Sequence, residues 1–214
     1  MTNLRVNEIF CSIQGESAFA GKPCVFVRTT GCPLRCTWCD TEYAFAEGTD
    51  MELEEVVVAA LSYDIPVIEV TGGEPLAQDA SLELLKDLCD CGKSVLLETS
   101  GALPIARVDD RVHIVMDIKC PGSGMEDRNL WENLEHLKET DEIKFVIAGR
   151  EDYEYATHVI AKFGLDDICE VIISPVIGRV DGKDVAQWML EDKLPARFQL
   201  QLHKLIWPPD ARGV

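Results

Sequence analysis

A chain of 214 residues with 47% apolar residues is long enough to bury a substantial core and short for more than one or two domains. Its 20 basic against 38 acidic residues leave a formal charge of −18, which argues against nucleic-acid binding, because neutralising phosphates needs a basic face. No apolar run approaches the ~20 residues that span a bilayer, and Met1-Thr2-Asn3-Leu4-Arg5 lacks a signal peptide's apolar region, so a cytoplasmic location without membrane attachment is expected.

In chain order, Val6 to Phe10 reads as a short strand, followed by the polar turn Ser12-Ile13-Gln14-Gly15-Glu16-Ser17. There an amide and a carboxylate flank a glycine that lets backbone approach a flat heterocycle, although an ordinary surface turn has the same composition. Cys24 to Thr30 is β-branched and aromatic, and this strand would place Arg28 near its C-terminal end, where parallel α/β sheets gather ligands. Directly after it, Cys32-Pro33-Leu34-Arg35-Cys36-Thr37-Trp38-Cys39-Asp40-Thr41 brings three thiols within eight residues, at C-x3-C-x2-C spacing. They can converge on one soft metal centre, and the fourth cysteine is missing. A closed structural zinc site takes four protein ligands, whereas a site with one open position can bind a substrate or cofactor there.

Thr49 and Glu52 form a capping-box pattern ahead of a helix striped by Leu53, Val56, Val57, Ala60 and Leu61. Val67 to Thr71 is a buried strand that runs into Gly72-Gly73-Glu74-Pro75. The glycines free backbone groups to meet a ligand, Glu74 can accept from an ammonium, and Pro75 stops the ladder; a plain strand-to-helix turn is the alternative. A helix over Leu82 to Leu88 stops at Gly92, then come a strand from Ser94 to Glu98, a strand from Val112 to Asp117, a helix from Leu130 to Leu137 and a strand from Glu142 to Ile147. A helix from Asp152 to Phe163 capped by Gly164, a strand from Cys169 to Ser174, a helix from Asp184 to Leu190 and a strand from Phe198 to Leu202 complete the series.

Strands separated by single helices predict parallel βαβ units. The expected class is α/β: a partial, incomplete (β/α) barrel of about six to seven mostly parallel strands with helices on the outside, forming one domain over residues 1–214. Arg28, the cysteine loop, Gly72-Gly73-Glu74, Thr99-Ser100, Asp117 to Lys119, Ser174 and His203-Lys204 would share one rim, with Lys144 inside its strand. Of the nine cysteines, Cys24 and Cys169 fall in apolar strand-like runs and are expected in the core, while Cys89 and Cys91 have no further ligands nearby in sequence.

The cysteine spacing with Trp38 before the last thiol, together with Gly72-Gly73-Glu74-Pro75 on the next strand, resembles the radical S-adenosylmethionine (SAM) superfamily. Ser12 to Glu16, Phe26 to Arg28, Cys39 to Thr41, Thr71 to Pro75, Glu98 to Gly101, Glu142 to Lys144 and Gln201 to Lys204 are similar, in order, to signature stretches of 7-carboxy-7-deazaguanine synthases. One departure is visible: where some members carry Ser-Pro-Lys, this chain has Asp117-Ile118-Lys119.

That resemblance implies that Cys32, Cys36 and Cys39 hold a [4Fe–4S] cluster and that SAM meets its fourth iron, beside Trp38, Cys39, Asp40, Gly73, Glu74, Ser100, Asp117, Ile118 and Lys119. It implies a pterin substrate, 6-carboxy-5,6,7,8-tetrahydropterin, contacted by Ile13, Gln14, Gly15, Glu16, Arg28, Thr71, His203, Lys204 and the terminal carboxylate of Val214. Mg2+ would sit at Thr41, a flavodoxin-type protein would donate the electron, and a homodimer would form. Two rival readings are an activase of a glycyl radical enzyme and a non-catalytic zinc-binding module, the latter needing a fourth ligand such as Cys11 or Cys24.

Overall fold

The computed structural model describes residues 2–208 and 211–214. Nine strands form one sheet: β1 (Asn3–Ile13), β2 (Pro23–Thr29), β3 (Thr49–Glu52), β4 (Val67–Gly72), β5 (Ser94–Thr99), β6 (His113–Ile118), β7 (Glu142–Ile147), β8 (Glu170–Pro175) and β9 (Arg197–Phe198). The helices are α1 (Leu53–Leu61), α2 (Ala80–Asp90), α3 (Arg150–Phe163), α4 (Leu165–Ile168), α5 (Gly182–Asp192) and α6 (His203–Ile206). The sheet order is β3-β1-β2-β4-β5-β6-β7-β8-β9. From β2 through β9 every neighbouring pair is parallel, while β1 runs antiparallel to β2 and β3. The parallel run β2, β4 to β9 matches the expected α/β arrangement, and the sheet is not closed into a barrel.

Because successive side chains of a strand point to opposite faces, each central strand supplies two different surfaces. One set of residues, including Val27, Ile68, Val70, Leu97, Ile143 and Phe145, joins Val56 of α1, Leu84 and Leu88 of α2, Tyr153 and Ile160 of α3 and Val185 of α5 in a continuous apolar core. The other set turns away from the helices. It starts with a small apolar layer of Phe10, Cys24, Phe26, Val67 and Leu96, and it becomes charged toward the strand C-termini. Cys24 and Cys169 are buried, as expected.

Element ends differ from expectation for identifiable reasons. Thr49 to Glu52 is a strand, because its backbone pairs with Asn3 to Val6 of β1. The cap of α1 moves three residues on, with the Glu55 carboxylate accepting the Glu52 backbone N–H at 3.1 Å. Trp131–His136 is a 3-10 helix. The last strand shrinks to Arg197–Phe198: the Gln199 N–H still donates to Ile173 O of β8 at 3.0 Å, but the Gln199 side chain and the Leu202 N–H turn to the segment around Gly15 and Ser17.

Candidate active site

A cavity of about 260 Å³ opens at the C-terminal ends of the parallel strands. Its wall on one side is the cysteine loop. Buried Leu34 anchors that loop; Gly31 N–H donates to Ala44 O at 2.8 Å, and the Thr37 hydroxyl donates to Gly122 O at 2.8 Å. The strand turn after β4 packs against it. Glu74 N–H donates to Gly31 O at 2.8 Å, and a Cβ on Gly73 would collide with the Gly31 carbonyl. Gly72, at φ +146°, has no room for a side chain against the Thr29 backbone. This close approach explains why two glycines stand in that turn.

Cys32, Cys36 and Cys39 are free, partly buried and on the cavity wall. Burial pushes all three thiols up, and the Lys119 ammonium pulls Cys36 back down. The Leu34 N–H points at Cys32 Sγ, 3.5 Å away. Among the described residues no three His, Cys, Asp or Glu side chains already stand in a metal-binding arrangement. The fit to an iron–sulfur cluster therefore rests on the donor set, three soft thiols on one loop with a backbone N–H and a cation beside them, which suits thiolate ligation.

The floor and opposite wall are charged. Lys144, 2% exposed in the middle of β7, bonds Glu98 Oε1 at 2.5 Å and lies 3.4 Å from Glu16 and 4.0 Å from Asp117. Thr71 Oγ1 donates to Glu98 Oε2 at 2.9 Å. Burial opposes the Glu98 charge, but the Lys144 ammonium and the Thr71 hydroxyl outweigh it and hold the carboxyl at about 2. Lys144 is itself pushed well above the usual lysine range, because the carboxylates around it overcome its burial. Lys119 pairs with Asp117 at 2.8 Å. Arg28 pairs with Glu8 at 2.8 Å, and the Tyr43 hydroxyl donates to the same carboxylate at 2.9 Å. One oxygen each of Glu16 and Asp117 is buried without a hydrogen-bond partner among the described residues.

At the mouth, Lys204 pairs with Asp40 at 2.6 Å and the Thr41 hydroxyl donates to Asp40 Oδ1 at 2.8 Å. Burial raises the Asp40 carboxyl, but Lys204 and Thr41 prevail and keep it below the usual carboxylate range. His203 packs over Gly15 so closely that a Cβ there would strike the imidazole, and burial keeps that ring below the ordinary histidine value.

A model of the radical SAM superfamily matches residues 26–119. A 7-carboxy-7-deazaguanine synthase of Chlorobaculum tepidum is 50% identical over 214 residues, covering 99% of this chain and 97% of its own. The chain belongs to the 7-carboxy-7-deazaguanine synthase family. Another member, from Koribacter versatilis, is 43% identical over 99% of this chain and 100% of its own length. The crystal structure of QueE from Escherichia coli shares the fold, with a TM-score of 0.75 at 24% identity over 93% of this chain and 94% of that one. Streptococcus suis SuiB bound to precursor peptide SuiA reaches a TM-score of 0.61 at 12% identity, covering 82% of this chain and 47% of its own.

Of the residues that the sequence nominated, Ile13, Gln14, Gly15, Glu16, Arg28, Cys32, Cys36, Trp38, Cys39, Asp40, Thr41, Thr71, Gly73, Ser100, Asp117, Lys119, His203, Lys204 and Val214 all line the one cavity. Glu74, Ile118 and Ser174 are not brought to its wall. Glu74 caps the 3-10 turn that begins at Pro75, which turns its carboxylate inward to the N–H groups of Leu76 and Ser100 and the hydroxyls of Thr99 and Ser100. Ile118, the last residue of β6, alternates with Asp117 and so faces the apolar core. Glu69 and Glu98 line the cavity and were not nominated, and Lys144 reaches it from mid-strand rather than from the rim. Their signal was a lone charge in an otherwise apolar strand, as in Val67-Ile68-Glu69-Val70 and Val95-Leu96-Leu97-Glu98. Cys89 and Cys91 close α2, away from the cavity lining.

Proposed function

We propose that this chain is a 7-carboxy-7-deazaguanine synthase, converting 6-carboxy-5,6,7,8-tetrahydropterin to 7-carboxy-7-deazaguanine with loss of ammonia, a step toward queuosine-type 7-deazapurines. The observation that carries the reading is the convergence, in one cavity, of three free thiols with amide, carboxylate and guanidinium groups suited to a flat anionic heterocycle. Cys32, Cys36 and Cys39 would hold three irons of a [4Fe–4S] cluster. With SAM bound to it, the cluster would supply the radical chemistry that removes a hydrogen atom from the substrate.

The chain's own residues bind and orient. Trp38, Asp40, Gly73, Ser100, Asp117 and Lys119 surround the SAM position, with Ser100 held by the buried Glu74 carboxylate. Arg28, fixed by Glu8 and Tyr43, offers its guanidinium fork to the substrate carboxylate. Gln14 and Glu16 meet the ring edge, and Ile13, Gly15, Thr71, His203 and Val214 close around it. Thr41, with Asp40 beside it, would bind Mg2+, which takes one or two protein oxygens plus waters and substrate; Lys204 neutralises Asp40 until then. Positioning of the reacting C–H bond is the protein's main contribution to rate.

The same reading carries one domain over the whole chain, a homodimer, and a flavodoxin-type electron donor, for which the exposed Pro33, Arg35 and Thr37 of the cluster loop offer an approach. A zinc-binding module fits less well, because neither Cys11 nor Cys24 lines the cavity with the loop thiols. Anaerobically reconstituted protein given reductant, SAM, Mg2+ and 6-carboxytetrahydropterin should yield 7-carboxy-7-deazaguanine by mass spectrometry. Release of 5′-deoxyadenosine without that product would overturn the substrate, and absence of both would overturn the radical chemistry.

A further inference from the structure

Among the described residues, Glu69 is the carboxyl of the cavity floor that forms no ion pair of its own. It sits mid-way along β4, in register with Phe26 of β2 and Leu96 of β5, and is 4% exposed. The floor's cations are already committed: Arg28 to Glu8, Lys119 to Asp117, and Lys144 to Glu98 and Glu16. An ionised Glu69 would place another negative charge between two apolar side chains and facing Glu98, an arrangement that favours the protonated acid. Its oxygens are used unequally. Oε2 accepts a hydrogen bond from Gln14 Nε2, as the carbonyl oxygen of a carboxylic acid would, and Oε1 takes no hydrogen bond from any described side chain, while Glu69 lines the cavity. Consistently, burial and the Glu98 charge push this carboxyl well above its ordinary range, against the opposing pull of Lys144 and Gln14.

We propose that Glu69 is a specificity-determining residue whose Oε1–H donates a hydrogen bond to an acceptor at the pyrimidine end of the pterin. This rests on the pterin reading above. Glu69 lies two residues below Thr71, roughly 6.6 Å deeper along the strand, whereas the reacting carbon must face the cysteine loop at the top. The pyrimidine end of the bicycle, farthest from that carbon, is what reaches the floor.

A neutral donor can be replaced by an amide but not by a hydrocarbon, so Glu69→Gln and Glu69→Leu separate the possibilities. With 6-carboxytetrahydropterin as the varied substrate, Glu69→Gln should keep KM within about threefold, while Glu69→Leu, whose side chain suits the Phe26–Leu96 layer, should raise KM roughly 10- to 100-fold at nearly constant kcat. Equal impairment of both variants, or a fall in kcat without a change in KM, would overturn the proposal in favour of a charge or proton-transfer role. Wild-type behaviour of both would remove Glu69 from substrate recognition. A readout independent of turnover and of variant folding is carbon NMR of wild-type protein labelled at glutamate carboxyls: one carboxyl should remain protonated at neutral pH, and its absence would also overturn the proposal. Failure of wild-type protein to make 7-carboxy-7-deazaguanine would instead strike the parent reading.

Discussion

The two faces of the central sheet are built from the same strands and obey opposite rules. Toward the helices, Ile68, Val70, Leu97, Ile143 and Phe145 leave no polar side chain to satisfy, and their contribution is apolar burial. Toward the cavity, Arg28, Glu69, Thr71, Glu98 and Lys144 occupy the alternate positions of β2, β4, β5 and β7, where each ion depends on its neighbours. Buried ion pairs add little net stability, because desolvation offsets the attraction. The cavity face is therefore organised for binding, at the expense of stability that apolar residues would have supplied, and the helix face compensates for it.

That contrast can be broken one face at a time. Phe145→Ala, on the helix face, should cost about 3–5 kcal/mol of unfolding free energy while leaving kcat of the folded, reconstituted enzyme unchanged. Chemical denaturation and steady-state assay check both halves, and a kcat loss matching the stability loss would show that the faces are not independent. A smaller, pH-dependent effect comes from Glu98, whose carboxyl is held at about 2 against its usual 4.5. A carboxyl with a depressed folded value stabilises fully above its unfolded value and loses that contribution as pH falls toward the folded one. The stability gap between wild type and Glu98→Gln should accordingly be constant near neutrality and narrow as pH drops from about 4.5 toward about 2, followed by urea unfolding across that range. A gap that widens on acidification would contradict the pairing with Lys144.

Much of this division was legible from residue order alone. Apolar, β-branched runs and the βα rhythm locate the parallel strands, and the cysteine and glycine motifs locate the cavity wall, because both depend on residues close in sequence. What escaped depends on convergence across strands. Nothing local to Glu69, Glu98 or Lys144 says that β4, β5 and β7 present them to one space. The strand-end position of Glu74 suggests reach toward a ligand, whereas the turn started by Pro75 folds its carboxylate back onto Thr99 and Ser100. The expected last strand runs too far because Gln199 looks like a polar strand residue, yet its side-chain amide donates to Ser17 O at 2.9 Å and accepts from Ser17 N–H at 2.7 Å, tying the C-terminal segment to the Gln14–Glu16 turn.

On the proposed function, one cavity joins a radical-generating wall to a substrate-holding floor, and two substitutions assayed side by side separate the two. Iron content and 7-carboxy-7-deazaguanine yield should be measured for anaerobically reconstituted Cys36→Ala and Lys144→Met. Cys36→Ala should lose both cluster and product, whereas Lys144→Met should keep its cluster but lose product. Wild-type yield from Lys144→Met, or product from Cys36→Ala, would contradict it.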